Sequence, residues 1–275
     1  MFHNISSLLK RAIKKTCNQG EREAYFRKMI QLKELRRIGK FPRYTKLETA
    51  ILGPKFTVPD SASFIFMFKE IFFEHIYRFN TVIDKPYIID CGANIGLSVI
   101  YFKKLYPDAR VIAFEPDDQI FNVLNNNISS FNFNNVQLIN KGLWNKEGYL
   151  SFKKEGADAG QINFKNEASN YSIEVTKLSS YLKQKVDFLK IDIEGAEVTV
   201  LEECKAELIN VRYIFVEYHS FMKEEQHLEQ VFSILKNSGF RTYVDSPGLS
   251  SKNPFMQINT YNGMDMQLNI FGIRK

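Results

Sequence analysis

Residues 87–96 read YIIDCGANIG: a short apolar run ends in an aspartate, turns through two glycines, and opens into LSVIYFKKL (97–105). A run rich in β-branched and aromatic residues, then a Gly-containing turn, then helical spacing is the signature of a strand feeding a helix. The alternation continues downstream. VIAFE (111–115), VQLIN (136–140), FLKID (188–192) and YIFVEYH (213–219) read as strands, and DQIFNVLNNNI, AEVTVLEEC and HLEQVFSILKNSG read as helices. Such alternation predicts a parallel sheet covered on both faces. Two departures are expected. YLSFKK (149–154) and SIEVTKL (172–178) form an inserted β-hairpin, and FRTYV (240–244) and NIFGIRK (269–275), with no helix between them, pair antiparallel.

Upstream, residues 1 to about 40 read as helical, followed by an extended stretch broken by Pro42, Gly53, Pro54 and Pro59. Asp60 is placed to cap a further helix, in which Phe64, Phe68, Ile71, Phe72, His75, Ile76 and Phe79 recur at helical spacing. His75 is expected to be a packed, hydrogen-bonded histidine on that stripe. Residues 1–80 are therefore an N-terminal helical extension, and 81–275 the sheet-based domain. Much of the net charge of +6 lies early, in Lys10, Arg11, Lys14, Lys15, Arg22, Arg27, Lys28, Lys33, Arg36, Arg37 and Lys40. A solvated face or a subunit contact is the expectation, with peripheral contact to an anionic membrane left open. No nucleic-acid-binding motif accompanies these charges.

Composition excludes several classes. With 275 residues, 44% hydrophobic and 25% charged, the chain can bury a sizeable core and is not of disordered composition. Its most apolar stretch, Phe64 to Phe79, is interrupted by Lys69, Glu70, Glu74 and Arg78, so nothing approaches the roughly 18 apolar residues of a bilayer span. MFHNISSLLKRAIKK lacks the apolar core and cleavage site of a secretory leader. Cys17, Cys91 and Cys204 contain no C-x-x-C pair, which argues for a reducing compartment and against a disulfide scaffold or cysteine-based zinc site. A cytoplasmic location is the expectation.

In an open α/β sheet, ligands bind beyond the carboxyl ends of the strands where the strand order reverses. The first strand ends there in Asp90-Cys91-Gly92-Ala93-Asn94-Ile95-Gly96, and the second in Phe114-Glu115-Pro116-Asp117. Glycines let the backbone turn tightly and approach a ligand, and Glu115 suits a ribose diol. A dinucleotide site wants G-x-G-x-x-G with pyrophosphate on a helix N-terminus. Here the turn is G-x-N-x-G preceded by Asp90, whose charge suits an ammonium or a sulfonium. S-adenosylmethionine carries both. A nicotinamide cofactor is the rival, and Tyr181-x-x-x-Lys185 superficially favours it, but that pair precedes a strand by one residue and has no long helix to align it.

The segments DCGANIG, FEPDDQIFNVLNNNI and VDFLKIDIEGAEVTVLEE, in this order, resemble the FkbM-family S-adenosylmethionine-dependent methyltransferases, as do LINKGLWNKEGYLSF and IFVEYH. The likeness covers roughly residues 56–245. It implies a Rossmann-like class I methyltransferase fold: a seven-stranded, mostly parallel sheet in the order 3-2-1-4-5-7-6 with the last strand antiparallel. It implies O-methylation of a hydroxyl on a sugar, glycoconjugate or natural product, with a small-molecule or glycan acceptor. By the same likeness Asp90, Gly92, Asn94 and Gly96 form the cofactor loop, Glu115 holds the ribose, and Asn140, Gly142 and Leu143 sit beside the adenine. Other readings on the same scaffold are an N-directed enzyme and a non-catalytic S-adenosylmethionine-binding protein.

Methyl transfer to oxygen needs alignment and proton removal. Alternation places Lys190 and Asp192 on one side of one strand, and Glu217 and His219 on one side of the next, with Glu194 close by. His219 is the first choice for general base, because an ordinary imidazole titrates near neutrality, and Asp192 the second. Glu194 has a bland alternative as a helix cap, and Glu217 as an ion-pair partner of Lys190. Oxygen ligands and one imidazole could hold Mg²⁺ or Mn²⁺, but the spacing specifies no metal, and none is assigned. The connection from Ser246 to Met266 is long enough to have a task. It is read as a lid over the acceptor, with an unstructured surface loop as the alternative. The oligomeric state is left open.

Overall fold

A computed structural model describes residues 19–153, 161–162 and 171–274. Lys10, Arg11, Lys14, Lys15 and Cys17 lie outside the described residues. The chain divides into two compact units, residues 1–65 and 66–275. This division falls earlier than the 80/81 boundary read from the sequence, because Tyr77 and Phe79 are built into the sheet unit through rings of Phe215 (4.9 Å) and Phe188 (5.1 Å).

In the first unit, α1 (Gln19–Ile38) is a helix as expected. It buries Leu35 and Ile38 and leaves Phe26, Met29 and Ile30 exposed. Strands β1 (Leu47–Thr49) and β2 (Phe56–Val58) pair antiparallel. Asp60 then caps α2 (Ser61–Phe68), accepting from the Ser63 N–H at 2.9 Å. Burial pushes the Asp60 carboxyl up, but that N–H, Arg43 and the Tyr44 N–H outweigh it and bring it down to about 2.

In the second unit, the helical stripe does not run on to Phe79. At Lys69–Glu74 the chain widens into a π-helical turn, and His75 ends it in a left-handed conformation (φ 59°), its N–H bonded to the Glu70 carbonyl. A π turn inserts one extra residue per turn and rotates the chain beyond it, so Tyr77 and Phe79 reach the core from extended chain. His75 is largely exposed, but its ring packs against Tyr101 (centroids 5.9 Å apart) and keeps a hydrogen bond to the Tyr101 hydroxyl at 3.1 Å.

The strands are β3 (Tyr87–Cys91), β4 (Arg110–Phe114), β5 (Val136–Ile139), β6 (Gly142–Leu143), β7 (Gly148–Lys153), β8 (Gln161–Ile162), β9 (Ser172–Thr176), β10 (Val186–Ile191), β11 (Val211–Phe221), β12 (Arg241–Asp245) and β13 (Met264–Ile273). Helices α3 (Leu97–Leu105), α4 (Asp118–Ser129), α5 (Glu197–Cys204) and α6 (Leu228–Asn237) connect them where the sequence placed helices. The main sheet has seven strands in the order β12-β13-β11-β10-β3-β4-β5, and β13 is antiparallel to both neighbours. Read from the other edge, this is the 3-2-1-4-5-7-6 order. The predicted hairpin exists as β7 against β9, in a smaller sheet with β6 and β8. Every residue of β3 and of β10 is buried, as expected of parallel strands covered on both faces.

Register fixes which residues share a face. Asp90 pairs with Lys190, Lys190 with Phe215, Glu217 with Asn269 and His219 with Gln267. On this one face the N-terminal half is aromatic, with Phe188, Phe215 and Phe271 under Tyr77 and Phe102. Toward the carboxyl ends of the parallel strands the same face turns polar. An abrupt change from aromatic packing to buried charge marks where the sheet stops being scaffold.

Candidate active site

The crevice begins at the turn after β3. The N–H groups of Gly92 and Ala93 both bond to the Phe114 carbonyl, at 3.1 and 2.8 Å, clamping the turn onto the end of β4. Gly92 and Gly96 have φ of 86° and 98°, where a side chain is strained. Asn94, also left-handed at φ 47°, donates its N–H to Glu115 Oε2 at 3.0 Å, and Asp117 N–H donates to Glu115 Oε1 at 3.0 Å. Burial pushes the Glu115 carboxyl up to about 7, against the pull of those two N–H groups. A desolvated carboxyl with spare lone pairs at the end of β4 is suited to vicinal hydroxyls. The loop, its two glycines and Glu115 thus fit a nucleoside ligand.

Asp90 lies deeper than the sequence suggested. It is fully buried, accepts from the Ser98 hydroxyl at 2.5 Å, and stands 3.3 Å from Lys190 Nζ. Its carboxylate therefore acts on the crevice as a field, through a wall of partners, and does not line the surface. Asn140 donates to the carbonyls of Glu115 (2.9 Å) and Pro116 (3.3 Å). Gly142 and Leu143 belong to the β6–β9 ladder, and the Leu143 side chain faces the core.

Lys190 is a residue whose role the sequence reading misassigned. Its Nζ reaches Asp192 Oδ2 (3.0 Å), Asp90 Oδ1 (3.3 Å) and the Gly92 carbonyl (2.8 Å). Burial alone would lower its pKa; Asp192 and Asp90 outweigh that and hold it well above its ordinary value. The Lys190–Glu217 ion pair, held open as the alternative for Glu217, is absent among the described residues. Glu217 instead accepts from Gln267 and stands 3.4 Å from His219 Nε2.

Five carboxyls and an imidazole converge at the ends of β10 and β11. Asp192 is pushed up, first by burial and then by the nearby Glu217. Glu194 is pushed up to about 8, chiefly by burial, with the His219 charge opposing. It takes a left-handed conformation (φ 54°) and caps nothing, since α5 starts beyond it at Glu197. Glu70, carried inward by the π turn, is also raised to about 8 by burial and by the charge of Glu217. His219 is buried, with Nδ1 2.9 Å from Glu197 Oε1 and Nε2 3.6 Å from Glu194 Oε2. Burial would lower its pKa, but Glu194 and Glu197 overcome this and raise it well above the ordinary value. That direction favours the charged form of the imidazole beside Glu194 and Glu197. Asp192, Glu194 and His219 each offer one donor atom, and these atoms lie within 4.8 Å of one another. They are the described residues that could hold a divalent cation.

Glu70 and Glu197 are the functional candidates that the sequence reading passed over. A charged residue inside an apolar stripe was the available signal for Glu70. For Glu197 it was an acid at the first position of a helix that follows a buried strand end.

A family model for the methyltransferase FkbM domain matches residues 90–242. The chain belongs to this family. The methyltransferase sdnD of Sordaria araneosa is 29% identical over 175 residues, 50% of this chain and 67% of that protein. The 2-O-methyltransferase NoeI of Sinorhizobium fredii is 26% identical over 155 residues, 48% of this chain and 63% of that protein. The chain thus spans about two thirds of the length of these curated relatives. The crystal structure of Methyltransferase FkbM from Methylobacillus flagellatus KT aligns over 72% of this chain and 46% of its own, at 19% identity and a TM-score of 0.47. Methyl transfer from S-adenosylmethionine is the chemistry that membership in the FkbM family carries. Among the described residues, no helix is long and apolar enough to cross a membrane.

Proposed function

We propose that this FkbM-family chain methylates a hydroxyl of a sugar, glycoconjugate or natural product docked over the carboxyl ends of β10 and β11. One observation carries the reading: two groups of polar residues stand next to each other at the carboxyl ends of the parallel strands. On one side stand the glycine turn and Glu115; on the other, Asp192, Glu194, Glu217 and His219. Bound S-adenosylmethionine supplies a methyl group on a sulfonium carbon, open to in-line attack. Glu115 would accept hydroxyls from its ribose, the 92–96 turn would seat its amino-acid end, and Asn140 would border its adenine. Asp192 takes the hydroxyl proton as oxygen attacks. It is the more solvent-reachable carboxyl of the set, with a side chain 23% exposed. A carboxyl held above its ordinary pKa is a better base than an ordinary aspartate. His219, whose charged form is favoured, would hold Glu194 and Glu217 in place.

The O-directed reading draws support from NoeI, which is a 2-O-methyltransferase. The exposed Phe255, Met256 and Tyr261 on the segment before β13 suit stacking against an acceptor ring. Incubation with methyl-labelled S-adenosylmethionine and polysaccharide or envelope fractions tests the proposal. The expected product is a methyl ether on oxygen. Label recovered on nitrogen overturns the hydroxyl assignment. Calorimetry showing NAD binding and no S-adenosylhomocysteine binding overturns the whole reading.

A further inference from the structure

Glu197 is 1% exposed, in the first turn of α5. A carboxyl so deeply buried is costly unless each oxygen is engaged, and here each is. Oε1 accepts from the N–H groups of Ile193 (3.2 Å) and Gly195 (3.0 Å), and Oε2 accepts from Gly195 N–H at 3.0 Å. The same Oε1 lies 2.9 Å from His219 Nδ1. With both oxygens already accepting from the backbone, the hydrogen in that contact belongs to the imidazole, so Nδ1–H donates to Glu197.

We infer that Glu197 is the positioning residue of the acceptor side, holding through one carboxyl both the turn that presents Asp192 and Glu194 and the orientation of the His219 ring. The turn needs such a hold. Glu194 and Gly195 have φ of 54° and 99°, and a non-glycine residue there persists only when its surroundings fix it. Three backbone-to-carboxyl contacts fix it. The ring needs a hold for a different reason. An imidazole can flip, and only with Nδ1 committed does Nε2 face Glu217 at 3.4 Å and Glu194 at 3.6 Å. A buried partner on one ring nitrogen sets what the other nitrogen does. Glu197, at 1% exposure, is itself out of reach of solvent and acceptor. It acts through His219 and the 193–195 turn.

The inference rests on the methyl-transfer reading for its meaning, but its first test does not. The chain has four histidines, so ¹⁵N-histidine labelling of the full chain gives few signals, and His219→Asn assigns the one of interest. In Glu197→Gln, which keeps the shape and one acceptor oxygen, the His219 titration midpoint is expected to fall by at least about one pH unit, a tenfold loss of proton affinity. Glu197→Asp, which keeps the charge, should restore part of it. With the acceptor identified by the labelling experiment, Glu197→Gln lowers kcat at least tenfold, shifts the pH–rate profile, and leaves S-adenosylhomocysteine affinity within about twofold. A folded Glu197→Gln protein whose His219 titrates as in the wild type overturns the inference. So does a variant with a lowered Tm but unaltered kcat and pH profile. Failure of the wild type to bind S-adenosylhomocysteine would sink the methyl-transfer reading and leave the histidine titration to stand or fall separately.

Discussion

The carbonyl oxygen of Asp192 stands 1.8 Å from the point a β-carbon on Gly92 would occupy. The cofactor turn and the candidate base are thus in backbone contact across β3 and β10, and the contact requires glycine. Gly92→Ala adds both this clash and the strain of φ 86°, and is expected to cost about 3 kcal/mol or more. Gly148→Ala is the control: its φ is 131° but nothing lies within 4 Å, so only strain remains, about 1–2 kcal/mol. Urea denaturation of the two variants ranks them; equal losses would refute the close approach.

Lys190 is the only cation that contacts both Asp90 and Asp192 among the described residues, and it is buried with Asp90. Removing one partner of a buried charge set strands the rest, at about 3–5 kcal/mol. Lys190→Met is expected to destabilise by that order. Lys190→Met with Asp90→Asn should recover part of the loss, since one stranded carboxyl goes with it. A double variant less stable than the single would show that the triad is not the source.

Stability should fall as pH rises from about 5 to about 8. Glu70 and Glu194 are raised to about 8 and Glu115 to about 7, from an ordinary 4.5. Over that window the folded protein keeps protons the unfolded chain has released, so rising pH favours unfolding. His219, also raised, loses its stabilising charge in the same direction at higher pH. Glu70→Gln cannot ionise. It is expected to match the wild type near pH 5 and exceed it by about 1–2 kcal/mol at pH 8. Thermal melts across this range decide it; parallel curves would place Glu70 outside the cluster.

If Asp192 takes the proton, Asp192→Asn lowers kcat by about 10²–10⁴-fold with little change in S-adenosylhomocysteine affinity. His219→Gln should cost less. The reverse order would return the base to the imidazole.

Activity should survive exhaustive dialysis against EDTA. His219 Nε2 faces Glu194 and Glu217 as a proton carrier, and a metal would have to displace that proton. Activity lost on chelation and regained with Mn²⁺ would instead make Asp192, Glu194 and His219 a metal centre.

The sheet was readable from the chain because its signals are local: apolar runs such as VIAFE and the glycine turn after Asp90. The antiparallel ending was legible too, from two strands with no helix between them. Long-range partnerships were not. Lys190 was read only as a partner for Glu217, and its pairing with Asp90 follows from the register that sets the two side by side. The π turn escaped because an α-helical stripe and one with an inserted residue look alike until the rotation is seen. The cap alternative for Glu194 failed for a similar reason: where α5 begins depends on a left-handed backbone at Glu194 that residue types alone do not announce.

Because β13 runs against its neighbours, its beginning and not its end lies beside the carboxyl termini of β10 and β11, and Gln267 touches Glu217 there. The excursion that leads into β13 therefore arrives beside β11, with β11 and β10 between it and the glycine turn after β3. Substitutions in that excursion can alter what approaches Glu217 without touching the turn.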